Sequence, residues 1–189
     1  HGGPSYNNAH PHLSGDKKFA VVHNGIIENY LALKDELLKD GFEFASETDT
    51  EIIAQLISKY YEGDFFEAVY KAAGRLEGSY ALGIICTDYP DTLIAVKKFS
   101  PLIIGLSREA NFIASDVTAI VSHTRDVVYI EDGEFAVLDK SGVKFYNSDK
   151  EEIKKDISHV NWDVAAAEKA GFEHFMMKEI MEQPNAVKQ

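Results

Sequence analysis

One cysteine, Cys86, occurs in 189 residues, so no internal disulfide framework can staple this chain, and the composition fits a reducing compartment. A clustered basic patch is also missing. The densest basic pairs, Lys17-Lys18, Lys97-Lys98 and Lys154-Lys155, are scattered and flanked by acids, and the formal net charge is -12. Such a surface repels phosphate backbones and anionic lipid, so neither nucleic acid nor a membrane is expected as a partner. No apolar run approaches the roughly 20 residues of a membrane span. No signal peptide, internal repeat or low-complexity tract is visible, and a cytoplasmic location is the expectation. What is present suffices for a core: 45% of the residues are hydrophobic, enough for one well-buried domain and too few for two large ones.

Residues 1–16, rich in Gly, Pro, Asn and His, read as loop. Residues 17–24 read as a strand with Phe19, Val21 and His23 on one face and Ala20, Val22 and Asn24 on the other. Both faces are largely apolar, which predicts cover on both sides. The spacing of Ile26, Tyr30, Leu33 and Leu37 predicts a helix over 25–39, ended by Gly41. A second helix is expected over 49–61, with Thr48 and Glu51 forming a Thr-x-x-Glu capping box, and a third over 65–76. The period then changes to that of strands, over 79–87, 92–98, 102–106, 111–115, 127–130, 134–139 and 143–146, each bounded by Gly, Pro, Asp or Ser. Many short strands after helices predict an α+β fold of mostly antiparallel sheets covered by helices. Residues 148–171 show no clear pattern, and 174–182 read as a last helix stopped by Pro184.

Two short runs carry the chemistry. Val21-Val22-His23-Asn24-Gly25-Ile26-Ile27-Glu28-Asn29 reads as a strand ending on Asn-Gly. That pair is either a simple turn or a place where a side-chain amide and a bare N–H face a developing oxyanion. Ser46-Glu47-Thr48-Asp49-Thr50-Glu51 puts the Asp49 carboxylate at a helix start. There it is either an ordinary dipole-favoured acid or a dock for a ligand's ammonium. His10-x-His12 has no matching Cys/His/Asp cluster elsewhere in the sequence and reads as a surface or structural pair rather than half of a metal site. His23, inside an apolar strand, reads as a hydrogen-bonded core histidine. Cys86, in Ala81-Leu82-Gly83-Ile84-Ile85-Cys86, reads as an inert small hydrophobe. Ser79 lacks the Gly-x-Ser-x-Gly flanks of a nucleophile elbow. Nothing indicates a metal or an organic cofactor.

Taken together, these segments resemble the glutaminase domain of the class II glutamine amidotransferases. The resemblance is carried by His1-Gly2-Gly3-Pro4-Ser5, Asn8-Ala9-His10-Pro11-His12, the two runs above, Leu76-Glu77-Gly78-Ser79-Tyr80-Ala81, residues 101–106 and 111–116, and Lys178-Glu179-Ile180-Met181-Glu182-Gln183-Pro184-Asn185. The last run points to the branch in which a following isomerase domain uses the released ammonia to turn fructose 6-phosphate into glucosamine 6-phosphate.

The resemblance implies an N-terminal-nucleophile hydrolase fold, a four-layer αββα sandwich, here truncated at the N-terminus. It implies attack on glutamine by an N-terminal cysteine whose own α-amine is the base, with the oxyanion held by the Asn24 amide and the Gly25 N–H. Substrate-binding residues would be Asp49 and the Gly25 carbonyl, at the ammonium, and His1, at the end of a loop that closes over glutamine. It implies L-glutamine as substrate, an isomerase domain in cis and a homodimer in the full enzyme.

The chain departs from that pattern at its start. Its first residue is His1; the nucleophilic cysteine, the substrate-clamping arginine and the lid tryptophan do not occur in it. Cys86 cannot substitute, since it has no free α-amine. Residues 1–175 are therefore expected to be a partial glutaminase domain, inactive by itself, and 176–189 the start of a linker. Two other readings stay open: the glutaminase part of another class II amidotransferase, against which the Glu-Gln-Pro-Asn run argues, and a non-catalytic glutamine-binding module.

Overall fold

The computed structural model describes residues 2–161 and 171–188. Its strands are β1 (His12–Leu13), β2 (Phe19–Ile27), β3 (Gly78–Cys86), β4 (Tyr89–Lys98), β5 (Ile103–Leu106), β6 (Phe112–Ala114), β7 (Asp126–Tyr129), β8 (Phe135–Asp139), β9 (Gly142–Tyr146), β10 (Glu152–Ile153) and β11 (Ser158–His159). Its helices are α1 (Tyr30–Lys39), α2 (Asp49–Tyr60), α3 (Phe65–Ala73) and α4 (Phe175–Ala186). Seven strands form an antiparallel sheet in the order β1-β2-β3-β4-β8-β9-β10, and four form a second in the order β11-β7-β5-β6. The α+β sandwich read from the sequence is present. The described residues supply one helical layer, α1 to α3, on the larger sheet, and a single 3-10 turn at Val117–Ala119 against the outer face of the smaller one.

The period of two in the central strands divides the core. Tyr80, Leu82 and Ile84 of β3 and Ile94 and Val96 of β4 join Leu37, Ile53, Leu56 and Phe65 beneath the helices. Ala81 and Ala95, their neighbours in the chain, face Ile104 and Val128 of the second sheet. Each fully buried aliphatic contributes roughly 1.5–3 kcal/mol. The side facing the second sheet is built from small residues, and a Cβ at Gly83 would strike Ile113 of β6, so the sheets meet closely there.

Several elements differ from the sequence reading. β2 does not end on Asn24-Gly25. It pairs with β3 as far as Ile27, and α1 begins at Tyr30 rather than residue 25, because the ladder captures the Asn-Gly pair (Asn24 opposite Ala81, Gly25 opposite Tyr80) before a helix can form. Cover on both faces of β2 is also not found: Val22 is 43% and Ile26 57% exposed. The second sheet stops at β6, which lies over β3 and does not extend across β2. α4 continues through Pro184 to Ala186. The proline sits in the last turn, where its missing N–H costs a single bond, and Val187 N–H still closes on Gln183 O at 3.0 Å. Within 148–171, β10 and β11 fasten the chain to both sheets, two-residue strands too short to show a period; the part of that segment at 162–170 lies outside the described residues.

The start of α2 is held with unusual care. Thr48 Oγ1 accepts from Glu51 N–H, as the capping box requires. The Glu51 carboxylate reaches further upstream than expected, accepting from Ala45 N–H at 2.8 Å and from Ser46 N–H and Oγ, both at 2.6 Å. Glu51 is 3% exposed, so Glu51→Ala strands buried donors. The expected cost is about 3 kcal/mol, read as a fall of roughly 10 °C in Tm by calorimetry, with Glu51→Gln losing less because it keeps one acceptor.

Candidate active site

The residues singled out at Asn24-Gly25 and at Asp49 come from different elements and meet at one end of the larger sheet. Ile27, two residues beyond Gly25, donates its N–H to Asp49 Oδ2 at 2.9 Å. This bond ties the end of β2 to the first residue of α2 and holds Asp49, 6% exposed, as an acceptor at a helix N-terminus. Asn24 projects from the opposite, exposed face of β2, and its side chain makes no hydrogen bond among the described residues. Gly25 lies between them at φ +130°, a backbone conformation L side chains rarely adopt. A Cβ there would overlap the Ser79 carbonyl oxygen, with the Ser79 carbon at 2.8 Å and Ser100 Oγ at 3.0 Å. Glycine is required by β3 passing close behind it, rather than by the turn that the Asn-Gly pair suggests. His1 lies outside the described residues.

Beside Asn24 is a small cavity of about 190 Å³, bordered by His10, His23, Ala81, Leu102 and Ser115. A larger cleft, about 840 Å³, opens at the opposite end of the sandwich between the 107–111 loop and the β8–β9 hairpin. It contains neither Asn24 nor Asp49, its Lys140 is paired with Asp91, and its Ser141 hydroxyl is spent on the Asp139 carboxylate within the β8–β9 turn. Size therefore does not locate the chemistry here. Cys86 is 3% exposed, and burial pushes its thiol up, away from the thiolate. It sits opposite Phe19, whereas Asn24 sits opposite Ala81, a separation of about 17 Å along β3. It remains the inert core residue expected.

A histidine cluster was not foreseen. Thr48 and Thr50, which flank Asp49, each meet imidazoles from the β1–β2 side. Thr48 Oγ1 lies 3.2 Å from His12 Nε2. Thr50 Oγ1 lies 3.0 Å from His23 Nδ1 and 3.4 Å from His10 Nε2. Burial pushes His12 below the ordinary imidazole value, and the neighbouring His10 pushes it the same way, while Glu51 and Asp49 oppose them. Burial likewise lowers His23, opposed chiefly by Asp49. His-x-His was the only local sign; a meeting of His23 with Thr50 across the fold leaves no trace in sequence spacing.

Solved structures share this architecture. Glutamine phosphoribosylpyrophosphate (PRPP) amidotransferase from B. subtilis superimposes with a TM-score of 0.67 at 27% identity, covering 76% of this chain and 32% of that one. A structure described as the allosteric regulatory enzyme of purine biosynthesis gives the same TM-score at 26% identity, over 78% of this chain and 32% of that one. The class is thus that of the class II glutamine amidotransferases on the N-terminal-nucleophile hydrolase fold. A family model described as a glutamine amidotransferase domain matches residues 4–122, and the chain belongs to that family.

Within it, the chain is 56% identical over 188 residues to the glutamine–fructose-6-phosphate aminotransferase [isomerizing] of Clostridium acetobutylicum, and 48% identical over 187 residues to that of Thermotoga maritima. These alignments take in 100% and 99% of this chain but only 31% of either relative, so the chain spans about a third of the length of the curated relatives it matches.

Proposed function

We propose that this chain is the glutamine-hydrolysing part of a longer enzyme that transfers the amide nitrogen of L-glutamine to fructose 6-phosphate, yielding glucosamine 6-phosphate. The observation that carries this reading is the Ile27 N–H to Asp49 bond. It sets a buried carboxylate at the same end of β2 as half-buried Gly25 and exposed Asn24, so that a small ligand reaching past Gly25 presents an ammonium to the first and a polarised carbonyl to the Asn-Gly pair. The names and high identity of the relatives support this branch over the PRPP amidotransferases, which share the fold at much lower identity.

In this reading Asp49, with the Gly25 carbonyl, binds the α-ammonium of glutamine. The attacking group is an N-terminal cysteine of the longer protein, its α-amine taking the thiol proton. The thiolate adds to the side-chain amide carbon, and the Asn24 amide and Gly25 N–H stabilise the oxyanion that forms. Ammonia leaves, and water then cleaves the thioester to glutamate. His1 ends the loop that closes over the substrate. Residues 1–175 belong to the glutaminase domain and 176–189 lead to an isomerase domain that receives the ammonia. In this reading the full enzyme is a cytoplasmic homodimer.

The test is Asp49→Asn in the full-length protein. Asparagine still accepts from Ile27 N–H but carries no charge. Losing the charge-assisted contact is expected to raise KM for glutamine about 100-fold, with ammonia-dependent amination of fructose 6-phosphate unchanged. A KM within twofold of the parent would exclude Asp49 as the ammonium site, and no glutamine hydrolysis by the parent would leave only a binding module.

A further inference from the structure

His23 is 5% exposed, Thr50 2% and His12 4%, so these three are buried between β1, β2 and the start of α2, whereas His10 is exposed and, with His23, borders the cavity beside Asn24. The hydroxyls of Thr48 and Thr50, on either side of Asp49, meet the imidazoles, and Asp49 is fixed between them by Ile27 N–H. His10 and His12 stack edge to face with ring centroids 5.4 Å apart, so a charge on either ring repels a charge on the other. The helix N-terminus also disfavours a cation beside it. Asp49 and Glu51, both on α2, are the carboxylates that face the cluster. On β3 the Ser79 backbone approaches His23, whose buried Nε2 makes no well-formed hydrogen bond among the described residues.

We propose that His23, acting through Thr50, is a positioning residue for the Asp49 carboxylate, and that protonation of His12 and His23 makes glutamine binding fail on acidification. The argument has two parts. A neutral His23 Nδ1 accepts the Thr50 hydroxyl proton and holds the first turn against β2; protonation reverses this bond, since the ring N–H then donates to Thr50 Oγ1 and the hydroxyl proton must turn to another acceptor. A protonated ring also places a fixed cation beside Asp49, where it competes with the ammonium of an amino-acid ligand. The folded rings of His12 and His23 hold protons less tightly than free imidazole. Stability is therefore complete above about the ordinary value of 6.5 and is lost as pH falls below it. The same protonation sets a competing cation beside the Asp49 carboxylate.

The inference depends on Asp49 being the ammonium site, and the experiment separates the two. In the full-length protein, KM and kcat for glutamine are measured from pH 5 to 8, and the histidine rings are titrated by NMR with and without glutamine. KM is expected to rise about tenfold per pH unit once the cluster titrates, while kcat changes much less. Bound glutamine is expected to lower the His23 midpoint further, since binding and protonation oppose each other reciprocally. Thr50→Val, which keeps the shape but removes the hydroxyl, is expected to raise KM about tenfold at pH 7.5 and leave kcat within twofold. His23→Asn, neutral at every pH, is expected to flatten the acid branch of KM. An unmoved KM in Thr50→Val, or a parental acid branch in His23→Asn, overturns the proposal while Asp49→Asn remains impaired. A normal KM in Asp49→Asn instead overturns the site assignment beneath it. Should His23→Asn fail to fold, the Thr50→Val kinetics and the glutamine-induced shift of the parental His23 midpoint still decide.

Discussion

Asn24→Ala in the full-length protein is expected to lower kcat for glutamine hydrolysis by 10²–10³-fold, about 3–4 kcal/mol of transition-state stabilisation, while KM for glutamine changes little. The split follows from what the side chain does. The Asn24 amide faces charge that develops only when the carbonyl becomes tetrahedral, so it contributes little to ground-state affinity. It carries no structural hydrogen bond among the described residues and lies on an exposed face of β2. Its removal should therefore leave Tm nearly unchanged, which separates a catalytic loss from a folding one. Steady-state kinetics with calorimetry on the same sample checks this, and a kcat within threefold of the parent would remove Asn24 from the oxyanion site.

Gly25→Ala should do the opposite, failing through the fold before the chemistry. A Cβ at φ +130° overlaps the Ser79 carbonyl oxygen, and that atom belongs to the backbone of β3, which has no rotamer to move away. Either β2 and β3 separate locally or Gly25 changes conformation; both lose pairs from the ladder and pull the Gly25 N–H from its place. The expected destabilisation is above about 4 kcal/mol, seen as insoluble or molten protein. Gly41→Ala is the matched control: it too lies at positive φ, +89°, but nothing stands within 4 Å of its Cβ position, so a cost of about 1 kcal/mol is expected. Comparable losses at the two positions would show that backbone strain alone, and not the approach of β3, explains Gly25.

The legible parts of this molecule were those written over short stretches. The Thr48–Glu51 capping box, the stripe of α2 and the alternation of β3 and β4 each need only neighbours in sequence, and the structure keeps them. The sequence places the end of β2 at the Asn-Gly pair and offers a turn as one reading of it; the constraint on Gly25 is the Ser79 carbonyl, more than fifty residues away. Pro184 was read as a stop, although in the last turn of α4 little remains for it to break. The cover of β2 was overestimated for a similar reason: apolar residues on both faces report what could be buried, not where the second sheet ends.

By itself the sequence determined the order and kind of the longer elements, the antiparallel α+β sandwich, and the two runs that carry the candidate chemistry, since these depend on periodicity, capping and residue type; the two-residue strands β1, β10 and β11 it did not show. Only the tertiary structure decided that Asp49 is fastened to β2 through Ile27 N–H, that Gly25 is pinned by β3, and that three histidines close on the threonines flanking Asp49. Those contacts form between segments distant in the chain, where the geometry is set by how the layers pack.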